Sequence, residues 1–227
     1  GSLPQHMDGA SLPQETAIAV KAAVLPFARF RTPEGVVVDS LLSPEMRSTG
    51  EVMGLDQHFD TAFAKAQAGA GSPMPTSGKV FISVANHDKR NVIIYAKMLE
   101  SLGFEIVSTG GTAEILRRNG LNSILVASKF AEANGDHSIV DMVRNGDIDL
   151  ILNTPAGGAA RSDGYEIRAA AVSVGCPVMT TISEFAAAVQ AITALREHSW
   201  DIMSLQEHDV KLAAAVDARL ASEGGEA

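Results

Sequence analysis

The sequence has a single cysteine, Cys176, among 227 residues, and only 5% of its residues are aromatic. One cysteine excludes an internal disulfide and is typical of a reducing compartment, so we expect a cytoplasmic protein. Basic residues are also few, 18 against 27 acidic ones, and the formal charge is −9. This balance argues against a general role in binding nucleic acid or a membrane surface. No apolar run reaches the length of a membrane span, and no signal peptide is visible.

Small aliphatic residues, and not aromatic ones, supply most of the hydrophobic content of the chain. Hydrophobic residues make up 46% of the chain, enough for Ala, Val, Ile and Leu to build the core of a globular α/β domain. The length fits one large domain, or one domain and part of another. Residues 1–14 include a start that is typical of an expression tag, so we predict that they are a tag or disordered.

A short polar stretch rich in Pro and Gly, residues 67–78, divides the chain and is predicted to be a linker. Before it, residues 15–66 contain two or three strand-like runs and one helical pattern between Phe59 and Ala66. Such a set cannot readily close a core by itself, so we expect the remnant of a larger domain. Residues 79–227 form the second predicted domain.

From residue 79 onward, strand-like and helical patterns alternate. The five predicted strands cover residues 79–85, 104–109, 123–127, 148–153 and 177–180. The helices are expected from about residues 88, 113, 138, 164 and 183. The fourth strand is fully apolar in its middle and is expected to be central, and an edge strand at 202–205 with a final helix near 207–221 completes the prediction. This alternation predicts an α/β fold with a parallel sheet covered on both faces by helices.

The second of these strands runs into the sequence Ser-Thr-Gly-Gly-Thr at residues 108–112, and a helical pattern follows from Ala113. Free backbone N–H groups and hydroxyls at the positive end of a helix dipole form an anion site, most often for phosphate. An ordinary strand-to-helix turn with Thr112 as the N-cap is the alternative. The choice depends on whether other residues converge on this turn.

Polar residues follow the other predicted strands as well, and the carboxyl ends of parallel strands are where ligands bind in such sheets. The set contains two lysines, several hydroxyls, an amide and the Gly-Gly turn. The residues just past the five strands are Asn86, His87, Asp88, Lys89, Thr109, Gly110, Gly111, Thr112, Ser128, Lys129, Asn153, Thr154, Pro155, Thr180 and Thr181. Lysine acts as a point charge for phosphate, while hydroxyls and N–H groups shape the rest of the site. Taken singly, each has a simpler explanation as a surface or turn residue, but together they predict a phosphate-bearing ligand.

Two stretches resemble a known family. Residues 44–54, Pro-Glu-Met-Arg-Ser-Thr-Gly-Glu-Val-Met-Gly, resemble the end of the second ATP-grasp half of the carbamoyl-phosphate synthase large subunit. From Lys79 onward, with Ser-Thr-Gly-Gly-Thr-Ala at 108–113, the chain resembles the C-terminal allosteric domain of that subunit, which has the methylglyoxal synthase-like fold. The resemblance implies a five-stranded parallel sheet in the order 3-2-1-4-5, preceded by a partial ATP-grasp segment.

The resemblance also implies a function. The domain would bind a nucleoside monophosphate, with UMP as the first candidate and IMP as the second. It would tune ATP-dependent synthesis of carbamoyl phosphate from glutamine or ammonia and bicarbonate, for pyrimidine and arginine biosynthesis. The implied partners are the rest of the large subunit, the small glutaminase subunit and further copies of the chain. The parent enzyme would use ATP with Mg or Mn, whereas this fragment is expected to have no cofactor, no metal site, no catalytic residue and no activity of its own.

Carried over by motif, the effector contacts fall on residues that bear hydroxyl, ammonium or amide groups. They are Ser83, Lys89, Thr109, Thr112, Lys129 and Asn153. Pro155 stands where the family has a further threonine, which puts a ribose or base contact there in doubt. A glutamate used in ornithine activation aligns with Ala22 and a threonine with Thr180, so Thr180 is at most a remnant of that site and we expect no ornithine regulation.

Methylglyoxal synthase, an enzyme of the same fold, is one alternative. Residues 134–136, Asn-Gly-Asp, are similar to its catalytic Gly-Asp element, and Asp163 lies near its second aspartate position. Its two histidine positions fall at Ala85 and Ala160, however, which leaves the acid–base set incomplete.

An inosine monophosphate cyclohydrolase is the second alternative, since it also carries Ser-Thr-Gly-Gly-Thr. It would need a Lys-Thr-Leu-His-Pro-Lys segment soon after Lys129, and that segment is absent. A structural or assembly role, which the Ala-rich C-terminal helix supports, is compatible with an allosteric one.

Overall fold

The structure is a computed structural model that describes residues 17–25, 48–128, 138–154, 160–198, 200–211 and 213–214, with side chains in the fifth helix described from Gly164. The labelled elements are β1 Ile18–Val24, β2 Gly50–Asp56, α1 Phe59–Gly69, β3 Lys79–Ser83, α2 Val92–Ser101, β4 Glu105–Ser108, α3 Gly110–Arg118, β5 Ile124–Val126, α4 Ile139–Arg144, β6 Leu150–Asn153, α5 Ala160–Val174, β7 Val178–Met179 and α6 Ile182–Glu197. A single 3-10 turn, Asn86–Asp88, lies between β3 and α2, and residues 205–211 are helical. None of the described helices is both long and apolar enough to cross a membrane.

The main sheet has five parallel strands in the order β5-β4-β3-β6-β7. Numbered from β3, this is the expected order 3-2-1-4-5, so the predicted fold is confirmed. The central strand is β3, however, and β6 lies between β3 and β7, so the prediction that the fourth strand is central is wrong. All interior strands of such a sheet are buried on both faces, and an apolar run therefore cannot tell the central strand from its neighbour.

Helices cover both faces of this sheet because side chains alternate along each strand. Val80 and Ile82 face the cluster that includes α2, α3 and α6 residues, whereas Phe81 between them faces the α4 and α5 side. On α2 the residues Val92, Ala96 and Leu99 form the apolar face and are fully buried, and Leu102, just past the end of the helix, is partly buried. Packing in these two clusters fixes the positions of the helices relative to the carboxyl ends of the strands.

The segment before the main sheet forms an antiparallel pair of strands, β1 and β2, in which Ile18 pairs with Asp56. Helix α1 packs on β2, and its residues Phe63 and Ala64 lie in the same core cluster as the α6 residues. Lys65 of α1 lies 2.8 Å from Asp56 Oδ2. Burial raises the pKa of Asp56, but the hydrogen bond and charge of Lys65, with the backbone N–H groups of His58 and Gln57, hold it below its usual value.

The predicted linker at residues 67–78 is more structured than its composition indicates. Helix α1 continues to Gly69, and Met74 is buried in the main core cluster with 6% of its surface exposed. Small residues and prolines suit a linker, but they also let a chain pack tightly against a neighbour. The boundaries of the two predicted domains stay a prediction.

Several predicted boundaries differ from the structure. The edge strand predicted at 202–205 is wrong, because residues 201–204 have no regular structure and a helix begins at Leu205. Ser204 and Glu207 form a capping box there: Ser204 Oγ accepts from the Glu207 N–H at 3.2 Å, and Glu207 Oε2 accepts from the Ser204 N–H at 2.7 Å. Helix α5 begins at Ala160, four residues before the predicted start. One of the strand-like runs predicted within residues 15–66, at 35–42, lies outside the described residues. So do the motif residues 44–47 and the end of the predicted final helix.

Candidate anion-binding site at the carboxyl edge of the sheet

Helix α3 begins directly after β4, at Gly110, with Thr109 as its N-cap residue in an extended conformation (φ −71°, ψ 152°). The Thr109 carbonyl accepts from the Thr112 and Ala113 N–H groups at 3.0 and 2.8 Å. The predicted start at Ala113, and the alternative in which Thr112 is the N-cap, are therefore wrong. Glycine has low helix propensity, which favoured a turn here, but it also adopts helical angles without hindrance.

Because α3 begins at Gly110, the N–H groups of Gly110 and Gly111 belong to its first turn. The first N–H groups of an α-helix have no partner within the helix, and they lie at the positive end of its dipole. Both glycines are exposed. The structure thus places two accessible N–H donors where the sequence predicted an anion-binding turn.

The hydroxyl of Thr109 is not used to cap its own helix. Thr109 Oγ1 instead lies 3.2 Å from Ser83 Oγ, which ends the neighbouring strand β3. Both residues are half-buried. The two hydroxyls therefore form a polar pair at the carboxyl ends of adjacent strands, beside the first turn of α3.

Lys89 follows the 3-10 turn after β3 and is half-buried. A Cβ atom built on Gly111 would lie 3.4 Å from Lys89 Nζ, so the ammonium group sits against the first turn of α3. The lysine was predicted to lie in the first turn of a helix from residue 88, but α2 begins only at Val92. The structure brings the predicted lysine and the predicted Gly-Gly turn together.

Thr112 has a different environment from the other predicted hydroxyls. Only 2% of its surface is exposed, and its Oγ1 accepts from the Val84 N–H at 3.4 Å. Thr154 has a similar role on the other side of β3, since its Oγ1 accepts from the Ala85 N–H at 2.9 Å. The two threonines hold the segment that leads from β3 to Lys89.

Asn153 ends β6 and is directly opposite Ser83 in the register of the sheet. It is 7% exposed, and its Oδ1 accepts a hydrogen bond from Nη1 of Arg168 at 3.0 Å. Arg168 lies on α5, is half-buried, and has its pKa lowered by that burial. Sequence reasoning missed this arginine because it lies within a helix, fifteen residues after Asn153, and follows no strand.

Four other positions considered in the sequence have less support in the structure. Lys129 and Pro155 lie outside the described residues. Thr180 is exposed after β7, and its N–H donates to Glu184 Oε2 at 3.0 Å as part of the N-terminus of α6. Ala22 lies on β1 opposite Val52, in the separate two-stranded sheet.

The residues that would favour methylglyoxal synthase are not placed either, since 134–136 and the side chain of Asp163 lie outside the described residues. Ala85, at one of the histidine positions of that enzyme, is buried. Within the ranges that the structure describes, no group of three or more His, Cys, Asp or Glu residues could hold a metal ion.

Comparison with known families agrees with this geometry. Residues 91–180 match the family model described as "MGS-like domain". The parallel sheet in the order β5-β4-β3-β6-β7, with helices on both faces, is consistent with that match. The fold and the match define the class: the part of the chain that includes residues 91–180 is an MGS-like α/β domain.

The chain is also similar over most of its length to proteins named carbamoyl phosphate synthase large chain. The one from Kocuria rhizophila is 66% identical over 214 residues, which is 93% of this chain and 19% of the relative. Those from Paenarthrobacter aurescens and Corynebacterium glutamicum are 62% and 55% identical, over 95% and 92% of this chain and 20% and 19% of theirs. The resemblance predicted from the two motifs is confirmed, and the chain spans about a fifth of the length of these relatives.

Proposed function

We propose that the MGS-like domain is an allosteric domain that binds a nucleoside monophosphate, with UMP as the first candidate and IMP as the second. The observation that carries the proposal is the position of Lys89, whose ammonium group sits against Gly111 at the N-terminus of α3. An ammonium group, free helix N–H groups and the hydroxyls of Ser83 and Thr109 together match the acceptor oxygens of a phosphate.

The local positive charge at this edge supports the binding of an anion here. The chain carries a formal charge of −9, so a phosphate would be repelled by the protein as a whole and needs local positive potential. Lys89 and the dipole of α3 supply it. Lys129, for which the sequence predicts a place after β5, would add a second cation.

We propose that the chain corresponds to the C-terminal part of a carbamoyl phosphate synthase large chain. The name of the relatives and their fivefold greater length support this reading. In the complete protein, the nucleotide would regulate ATP-dependent synthesis of carbamoyl phosphate from glutamine or ammonia and bicarbonate. The rest of the large chain and a glutaminase subunit would be its partners, pyrimidine and arginine biosynthesis its pathways, and the cytoplasm its location. Catalysis would belong to the rest of the large chain.

Calorimetric titration with UMP, IMP and uridine tests the proposal. Hydrogen bonds to charged groups contribute roughly 1.5–3 kcal/mol, so Lys89→Ala should weaken UMP binding by about tenfold to a hundredfold. Lys97→Ala is the matched control, because Lys97 is an exposed lysine of α2 and its removal changes the net charge equally. Uridine, which lacks the phosphate, should bind wild type and Lys89→Ala almost equally.

Two results would contradict the proposal. One is a wild-type protein that binds neither UMP nor IMP, and the other is equal UMP affinity in wild type and Lys89→Ala.

Lys129→Ala is predicted to weaken UMP binding in the same way as Lys89→Ala. Raising the salt concentration should weaken wild-type binding more than that of either variant, because screening acts on the charge that the variants lack. Ornithine, included in the same titration, should not bind.

A further inference from the structure

The side-chain amide of Asn153 can take two orientations, which exchange the positions of its oxygen and nitrogen, and Arg168 selects between them. An arginine carries only hydrogen-bond donors, so the atom that faces Arg168 must be the Asn153 oxygen. Both N–H groups of Nδ2 are then left for other acceptors. Asn153 is almost fully buried at the end of β6, opposite Ser83. The orientation of its amide therefore decides whether the sheet edge presents a hydrogen-bond donor or an acceptor at this point.

The contact between Arg168 and Asn153 also depends on Gly164, one turn earlier on α5. A Cβ atom at position 164 would overlap both Nη1 of Arg168 and Oδ1 of Asn153. Real Cβ atoms do not approach other atoms that closely, so any side chain at this position would displace the guanidinium from the amide. The pair exists in this form because residue 164 is glycine.

We propose that Arg168 is a positioning residue for the nucleotide: it holds the Asn153 amide so that Nδ2 donates to an oxygen of the ligand. This inference rests on the proposed function, and it assigns the arginine no direct ligand contact. Arg168 suits the role because its guanidinium is planar and permanently charged, and the hydrogen bond that it makes to the amide is charge-assisted.

A double-mutant cycle on UMP binding separates this role from a direct contact. Arg168→Met and Asn153→Ala should each weaken binding about tenfold, the value of one hydrogen bond of this kind. The double variant should bind no more weakly than Asn153→Ala alone, because Arg168 acts through the amide. Arg118→Met is the matched control, since Arg118 is an exposed arginine at the far end of α3 that pairs with Glu114.

Gly164→Ala tests the pair without removing either partner. The new methyl group breaks a partly buried hydrogen bond, and the higher helix propensity of alanine offsets part of that cost, so the melting temperature should fall no further than in Arg168→Met. UMP binding should nevertheless weaken about as much as in Arg168→Met, because the new methyl group separates the arginine from the amide. A merely structural role for Arg168 would lower the melting temperature of both variants without weakening UMP binding in the folded protein.

The orientation of the amide can also be followed without ligand, by NMR of the Asn153 side-chain ¹⁵N–¹H groups. In wild type they should be as ordered as the backbone, and in Arg168→Met they should become mobile. Additive losses in the double variant, or wild-type affinity in Arg168→Met or Gly164→Ala, would overturn the positioning role while leaving the proposed function intact. A wild-type protein that binds no nucleotide would overturn both.

Discussion

At the scale of a single residue, Cys176 shows how position controls chemistry. The residue is half-buried after α5, and its Sγ donates to the Ile148 carbonyl at 3.3 Å. Burial, together with the negative charge of Asp149, raises the pKa of the thiol to about 12. The thiolate is the reactive form of cysteine, so this residue is expected to be chemically inert in the folded protein.

We therefore predict that Cys176 reacts with iodoacetamide at pH 8 roughly a thousandfold more slowly than a free cysteine, in proportion to its smaller thiolate fraction. Mass spectrometry of samples quenched over time measures the rate. The same experiment in 6 M guanidinium is the control, and there the ordinary rate should return. Rapid labelling of the folded protein would show that neither burial nor Asp149 acts on the thiol as described.

At the scale of elements, the contact between β2 and α1 depends on Gly54. A Cβ atom at this position would overlap the carbonyl oxygen of Ala62 and come close to the backbone nitrogen of Ala66. Backbone atoms of a helix cannot move aside as a flexible side chain can. The ion pair of Lys65 with Asp56 joins the same two elements a few residues away.

Gly54→Ala should therefore lower the free energy of unfolding by about 2–3 kcal/mol, a typical cost of overpacking. Gly50→Ala is the matched control, because the start of β2 has open space around that glycine and the change should fall within about 0.5 kcal/mol of zero. Denaturant unfolding followed by circular dichroism measures both. Equal stabilities of the two variants would mean that α1 does not pack on β2 as closely as the structure has it.

At the scale of the whole molecule, the two sheets differ in how well their strands are paired. Among the described residues, β1 and β2 each have one hydrogen-bonded neighbour, whereas β3, β4 and β6 each have two. Unpaired strand edges leave backbone groups open to water, and such regions open at low free-energy cost. Helix α1, in contrast, shares its buried residues with the core that contains α6.

Hydrogen exchange should accordingly be fastest in β1 and β2, slow in α1, and slowest in β3 and β6. The residues before Gly78 should therefore not be uniformly less protected than the rest, because α1 and Met74 lie in the main core. Exchange measured by NMR or by mass spectrometry of peptides resolves the three regions. Amides of β1 as slow as those of β3 would contradict the prediction that the first strands come from an incomplete domain.

The sequence alone determined the alternation of strands and helices, and with it the edge at which the polar residues gather. It could do so because both are local properties: apolar periodicity sets each element, and parallel strands bring their carboxyl ends to one edge. Thr109, Lys89 and Asn153 were predicted at this edge from the strand pattern and Ser83 from the resemblance, and the structure places all four there. The strand order came from the resemblance, since periodicity carries no information on which strands are neighbours.

Only the tertiary structure decided which side chains meet. Thr112 Oγ1 accepts from the Val84 N–H, the Lys89 ammonium group lies against Gly111, and Arg168 contacts Asn153 from within a helix. The sequence also did not predict that α1 packs on α6, because this contact joins residues more than a hundred positions apart. Such contacts depend on distances between packed elements of a few ångströms, and no periodicity along the chain encodes them.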